Sequence, residues 1–117
     1  MSDSIGPLDR AAIERIDSTL LPQLERHHLR LLAHCLASFQ GMLPAPEDGA
    51  LPGETARRVW CQNQAPIAGD PAFLALMLEQ LDVAAVQLEA VARDRNLSPM
   101  ALSLEDLIAA SEDRRQD

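Results

Sequence analysis

The sequence predicts an all-α fold, a small bundle of four or five helices in one domain that covers residues 1–117. Three observations lead to this prediction. A chain of 117 residues can build one hydrophobic core but not two. The composition is rich in leucine and alanine, lacks tyrosine and has only two phenylalanines, which favours helices over sheets. Proline and glycine divide the chain into segments whose apolar residues recur at helical spacing.

Two long antiparallel helices are the main predicted elements. The first covers about 22–43, where one apolar stripe is expected to face the core. The second covers about 71–95 and starts with Asp70 as N-cap and Pro71 at the first helical position. Asn96 is the expected residue just beyond its C-terminus. The stripe of the first helix comprises Leu24, Leu31, Leu32, Cys35, Phe39 and Met42.

Three shorter helices are predicted around this pair. Their ranges are about 8–18, 52–62 and 104–111. The segment 44–53 is a loop, because its prolines and glycines leave no room for a regular element. Ser103 and Asp106 form a capping-box pattern at the start of the last helix, with aspartate in place of glutamate. The ends of the chain, 1–7 and 112–117, are expected to fray.

The net charge of −8 argues against nucleic acids and anionic membranes as partners. The chain has 18 acidic and 10 basic residues, and this balance repels phosphates and anionic headgroups. The N-terminus has no secretory-signal pattern, and the longest uncharged stretch, 31–46, is too short and interrupted to span a bilayer. We therefore expect a cytoplasmic protein with no membrane partner, in which both cysteines stay reduced.

Histidine and cysteine residues make the case for a metal or thiol enzyme. His27, His28, His34 and Cys35 lie on the first long helix, but no two histidines are three or four positions apart, as helix-borne metal ligands require. Cys61 could act as a nucleophile only with a histidine nearby in space. The sequence therefore predicts no catalytic residue, no cofactor and no metal ligand, and a metal or thiol enzyme is kept as an alternative.

The short helix 52–62 carries the candidate partner-binding residues, Arg57, Arg58 and Trp60. Arginine and tryptophan are the residues most often found at binding hot spots. A purely structural role is the alternative, in which Trp60 closes one end of the bundle and the two arginines pair with nearby acidic residues.

The segment 91–108 contains a helix-turn-helix pattern. The matching residues are Ala92, Leu97, Ser98, Ala101, Leu102, Ser103 and Ile108. The pattern resembles that of LysR-type regulators, which implies DNA binding through a basic recognition helix. However, Arg95 stands where that family has a buried leucine, and Glu105 and Asp106 stand where it contacts DNA. A DNA-binding regulator is therefore a second alternative, and a helix-turn-helix used only for packing is the simpler interpretation.

Two further segments are LERHHLRLLAHCLASFQ (24–40) and VWCQNQAPIAGDPAFLALMLEQLDVAAVQLEAVA (59–92). They resemble small uncharacterised helical proteins of cyanobacteria. This resemblance implies a soluble, intracellular all-α protein and brings no known activity, cofactor or site.

The function predicted from these observations is a non-enzymatic helical module for protein interaction: an adaptor, an assembly factor or a regulator. Its partner is expected to be a protein that the sequence does not identify. Because the core has few large side chains, we also expect further burial through homo-oligomerisation, for example as a homodimer.

Overall fold

The computed structural model describes residues 9–42, 47–64 and 69–115. These residues form five α-helices and one short 3-10 helix, and no strand occurs among them. The helices are α1 (Arg10–Asp17), α2 (Gln23–Gln40), α3 (Glu54–Gln62), α4 (Pro71–Asp94) and α5 (Leu104–Arg115), and the 3-10 helix is Pro99–Ala101. The all-α fold class predicted from the sequence is therefore confirmed.

The first two helices are shorter than predicted. α1 begins only at Arg10, because the side chain of Asp9 accepts a hydrogen bond of 2.8 Å from the backbone N–H of Ala12 and so caps the helix. α2 ends at Gln40 rather than near residue 43, with Gly41 as its C-cap. The predicted fraying of residues 1–7 and the predicted helix-ending Pro44 lie outside the described residues.

The last helix is longer than predicted. α5 continues to Arg115, four residues beyond the expected end at Ser111. Ser111 is buried, and its hydroxyl accepts a hydrogen bond of 3.3 Å from the guanidinium of Arg114. The expected fraying of residues 112–115 is therefore wrong, although Glu112, Asp113 and Arg114 are exposed and this last turn faces solvent. Residues 116–117 lie outside the described part of the chain.

Both ends of α4 carry the predicted capping residues. The Asp70 carboxylate accepts hydrogen bonds of 3.1 Å from two backbone N–H groups of the first turn. At the other end, Asn96 has a positive φ of 57°, and the N–H of Leu97 donates to the carbonyl of Ala92 at 2.9 Å. This is the Schellman arrangement, which stops a helix at a left-handed residue. α4 therefore has well-defined ends.

The core lies around α2, which contacts α1, α4 and α5, while α3 packs against α4. The large side chains that are fully buried come from all five helices. They are Ile16, Leu29, Phe39, Cys61, Leu81, Leu88, Leu107 and Ile108. Cys35, Phe39 and Met42 are buried as the stripe on α2 predicted, but Leu24 and Leu31 of the same stripe are exposed. The prediction that the whole stripe faces the core is therefore wrong, because the first half of α2 is only partly covered.

The loop before α3 is held to the 3-10 helix. The carbonyl of Gly49 accepts a hydrogen bond of 2.9 Å from the N–H of Met100. Gly49 has a positive φ of 78°, and a Cβ at this position would lie 2.6 Å from the hydroxyl of Ser98, so only glycine fits. Leu51 and Pro52 of the same loop are buried. Residues 49–52 are thus packed against the bundle, whereas 44–46 lie outside the described residues.

α4 is the one helix among the described residues that is long and apolar enough to cross a membrane, by length and composition alone. The qualifying 18-residue window has a mean hydropathy of 1.3, and 22% of it is buried. Core helices pass the same test, and α4 does contribute Leu81, Ala84 and Leu88 to the core. Leu76 and Val83 of α4 are exposed, and they line the surface described next.

Candidate partner-binding surface

An open apolar groove of about 370 Å³ lies between α2 and α4. We call it the α2–α4 groove. Four lining residues come from α2 and six from α4. They are His28, Leu31, Leu32 and Cys35, and Leu76, Glu79, Gln80, Val83, Ala84 and Gln87.

The walls of the groove are exposed, and its floor is buried. Leu31 is 42% exposed, Leu76 55% and Val83 56%, whereas Cys35 and Ala84 are each 6% exposed. Single apolar side chains on a surface are ordinary, but a contiguous set around a concave site marks a place where another molecule can bind. The small Ala84 side chain lets the two helices approach, so the larger residues on either side form walls without meeting each other.

The thiols do not provide an activated nucleophile. Burial raises the pKa of the Cys35 thiol to about 11, so this residue stays protonated at neutral pH. Burial also raises the pKa of the Cys61 thiol on α3. A catalytic cysteine needs the opposite shift, so the environments of both residues disfavour the thiol-enzyme alternative.

His27 and His28 are neighbours on α2, and His34 lies six residues further along the helix. His27 and His28 touch through an edge-on contact with 6.2 Å between ring centroids. His34 is half-buried, and that burial lowers its pKa, which favours the neutral ring. Within the described residues, no group of three histidine, cysteine or acidic side chains is arranged to hold a metal ion.

Arg57 is engaged in contacts within the protein. Its Nε donates to the carbonyl of Pro52 at 2.8 Å, and its Nη1 lies 2.8 Å from Oδ1 of Asp82 on α4. Its guanidinium also lies over the ring of Phe39, 5.0 Å from the centroid. Arg57 thereby ties α3 to the loop before it, to α4 and to the core.

The other two predicted binding residues, Arg58 and Trp60, make contacts different from those of Arg57. Arg58 is about half exposed and pairs with Glu54 one turn earlier at 3.6 Å. Trp60 is partly buried and packs against the hydrophobic core. Arg57 and Arg58 line a second cleft, between α3 and α4, but Trp60 does not. Partner binding by these three residues stays a prediction.

Arg95 of the helix-turn-helix segment forms an ion pair within the protein. Arg95 Nε lies 3.0 Å from Oδ1 of Asp106, and the other carboxylate oxygen of Asp106 accepts from the backbone N–H of Ser103 at 2.9 Å. The Ser103 hydroxyl in turn accepts from the N–H of Asp106 at 3.3 Å, which confirms the capping box. The hydrogen bonds from Ser103, together with the nearby Arg95, keep the pKa of Asp106 below its ordinary value. The segment packs into the core through Leu102, Leu107 and Ile108, and DNA binding by it stays a prediction.

The fold and the groove define a small all-α protein with an open apolar groove on its surface. A family model described as "NDH complex assembly factor CRR9" matches residues 8–117, and the chain belongs to this family. A search among curated proteins and a search among solved structures found no match. The family description agrees with the predicted class, which included assembly factors. The resemblance to cyanobacterial proteins stays a prediction.

The groove was not predicted from the sequence, although a signal was present. Leu24, Leu31 and Cys35 were assigned to a core-facing stripe of α2, and a heptad series on α4, Leu74, Leu81 and Leu88, packs into the core. A second heptad series, through Leu76 and Val83, occupies the outer face of α4. Two heptad series on one helix indicate that it packs on two sides, and the residues that the structure describes fill only one of these sides.

Proposed function

We propose that this protein is a non-enzymatic assembly factor that binds a protein component of the NDH complex while that complex forms. The observation that carries the proposal is the family match over residues 8–117, nearly the whole chain. The α2–α4 groove supports it independently, because an assembly factor acts by binding and needs a surface that its own fold leaves uncovered.

The energetics of the groove suit a reversible contact. Fully burying a leucine or valine side chain stabilises a complex by about 1.5–3 kcal/mol, and roughly half of that is available at a half-exposed one. Leu31, Leu76 and Val83 are each about half exposed. Their summed contribution, set against the entropic cost of association, supports a moderate affinity. A moderate affinity lets an assembly factor leave the finished complex.

The compartment follows from the same proposal, because the protein must be present where the NDH complex assembles. The cytoplasmic location and the homo-oligomer expected from the sequence stay predictions. The measured solution mass of the purified chain will decide the latter.

Deletion of the gene in the organism that encodes it tests the proposal. We expect the assembled NDH complex to fall severalfold on native gels, with unchanged transcript levels for its subunits, and to return when the wild-type chain is restored. An unrelated multi-subunit complex of the same compartment serves as the control and should keep its level. A deletion strain with a full level of assembled NDH complex would contradict the proposal.

A further inference from the structure

We infer that the α2–α4 groove binds a single amphipathic helix of the partner protein, in coiled-coil register, with a lysine or arginine of that helix facing Glu79. The inference deepens the proposed function by giving the chemistry of the partner at the same site. It rests on the proposed function only for the identity of the protein that carries the helix.

The spacing of the lining residues is the first reason. Both helices present residues separated by four, three and four positions, which is the alternating seam of a heptad repeat. On α4 the series is Leu76, Gln80, Val83 and Gln87. On α2 it is Leu24, His28, Leu31 and Cys35, of which all but Leu24 line the groove. Two such seams side by side form the holes that the side chains of a third helix fill.

The exposure of these seams is the second reason. Leu24 is 68% exposed and continues the apolar wall of α2 one turn before His28. Together with the lining residues of α2, it extends the surface from Leu24 to Cys35, about three turns of the helix. Eleven residues of helix rise about 16.5 Å, so two heptads of a partner, about 14 residues, would cover this surface. That length is typical of an anchoring helix in helix-in-groove recognition.

The backbone chemistry of the groove favours a helix over an extended peptide. A peptide that binds by strand addition needs a sheet edge for its N–H and C=O groups, and the described part of this chain contains no strand. A polyproline-type peptide binds a groove lined by aromatic side chains, and no phenylalanine, tyrosine or tryptophan is among the lining residues of this groove. A helix satisfies its own backbone groups and requires only complementary side chains. Gln80 and Gln87 add polar positions to an otherwise apolar seam, and polar residues at such positions fix the register and the choice of partner.

Charge determines the flank of the partner helix. Glu79 is the one carboxylate among the ten lining residues, and no arginine is among them. Between positions 71 and 92 the sequence of α4 has three acidic residues and no basic one, and the whole chain carries −8. A basic flank on the partner is therefore attracted, and an acidic flank is repelled.

The same charges disfavour a second copy of this chain as the occupant. A second copy would present an α4 with the same carboxylates, and its groove-lining residues would again lack an arginine. Like charges that face each other across an interface weaken it and select against that pairing.

Binding of designed helical peptides to the full-length chain tests the inference. The probe is a labelled peptide of about 21 residues, three heptads, with leucine at the seam positions and lysine on the flanks. One matched peptide has glutamate at every lysine position, and another has the lysine composition in scrambled order. Fluorescence anisotropy at low salt should give the tightest binding for the lysine peptide, with the glutamate peptide and the scrambled peptide each about tenfold weaker or more.

Variants of the chain locate the binding. Val83→Glu places a charge on the groove wall and should weaken the lysine peptide about tenfold or more. Val86→Glu makes the same change on α4 at an exposed residue outside the groove lining and should leave binding unchanged. Glu79→Lys should lower affinity for the lysine peptide about threefold or more and raise it for the glutamate peptide. Circular dichroism verifies folding, and Leu31→Gln replaces Val83→Glu if that variant is unfolded.

Three results would overturn the inference. They are equal binding of the scrambled peptide, equal effects of Val83→Glu and Val86→Glu, and a wild-type dimer in sedimentation that Val83→Glu converts to a monomer. The last result would assign the groove to a second copy.

These experiments can refute the proposed function and the inference separately. Specific peptide binding in a protein whose deletion leaves the NDH complex intact would refute the proposed function alone. Loss of the complex in groove variants that never bound the helical probe would refute the inference alone.

Discussion

The two sides of α4 differ in how far their contacts are satisfied within the chain. On the α3 side, Asp82 pairs with Arg57, which also bonds to the loop before α3 and stacks over Phe39. On the α2 side, Leu76 and Val83 remain about half exposed beside an open groove. The α3 side is held by polar contacts that the protein makes with itself, whereas the α2 side leaves apolar surface that the described part of the chain does not cover.

This difference shows why residue type alone is a weak guide to a binding site. Arginine is enriched at binding hot spots, but Nε and Nη1 of Arg57 already donate hydrogen bonds within the protein. Its guanidinium already lies over the ring of Phe39. Valine is not enriched at hot spots, but Val83 forms part of the wall of an open groove. What makes a surface available for binding is unsatisfied contact area, which depends on packing.

The largest expected effect is a loss of stability when a residue on the buried face of α4 is truncated, compared with one on its exposed face. Leu88 is fully buried, so Leu88→Ala should lower the free energy of unfolding by about 3 kcal/mol through lost burial and a cavity. Val83→Ala should change it by less than about 0.5 kcal/mol. Urea denaturation followed by circular dichroism measures both. Comparable losses would mean that Val83 is part of the core, and the distinction between the two faces would fail.

The next effect tests the α3 side. Arg57→Ala should destabilise the fold by about 1–2 kcal/mol, because it removes a hydrogen bond to a carbonyl, an ion pair and a cation–π contact. Arg58→Ala is the matched control and should cost less than about 0.5 kcal/mol, since its single ion pair is exposed. An Arg57→Ala protein of unchanged stability that no longer binds the partner would reverse the roles of the two sides.

Much of the architecture could be predicted because its signals are local. Asp70 and Asn96 at the ends of α4, and Ser103 with Asp106 before α5, act through backbone atoms a few residues away, so the sequence alone reveals them. The five helices followed from the same kind of signal. The end of α5 did not, because residues 112–114 are exposed and charged and carry no apolar pattern that marks a helix.

The candidate site could not be predicted because it depends on which neighbour covers each helix. The pattern of α2 places Leu31 and Phe39 in one apolar stripe, yet Phe39 is fully buried and Leu31 is exposed. The described neighbours of α2 leave Leu24 and Leu31 exposed, and no local rule encodes that. The sequence also could not show that Arg57 is bonded within the protein, because its partners are up to 25 positions away.

A smaller, pH-dependent effect concerns Asp106. The hydrogen bonds from Ser103 and the nearby Arg95 lower its pKa in the folded state below the ordinary value of 3.8. Its contribution to stability is therefore fully present above the ordinary pKa and is lost as the pH falls through the folded pKa. Asp106→Ala should cost about 1 kcal/mol at neutral pH, and its difference from wild type should shrink below pH 3.8. Denaturation curves at several pH values measure this difference. One that stays constant into strong acid would contradict the capping role.

The smallest effect is expected at the exposed pair of Arg15 and Glu105, which joins α1 to α5 at 2.8 Å. Both side chains are well exposed, so solvent and salt screen their attraction. Arg15→Ala should destabilise less than Asp106→Ala does, and the loss should vanish at high salt. Thermal melts at low and high ionic strength test this. A loss that persists in high salt would indicate packing by the arginine stem instead of an ion pair.

The most direct test of the account compares Val83→Glu with Val86→Glu in the deletion strain. Both variants place a carboxylate on the exposed side of α4, but only Val83 lines the groove. With equal steady-state amounts of the two proteins, Val86→Glu should restore the assembled NDH complex on native gels, and Val83→Glu should not. Full restoration by Val83→Glu, or equal failure of both folded variants, would contradict the assignment of the α2–α4 groove as the functional surface.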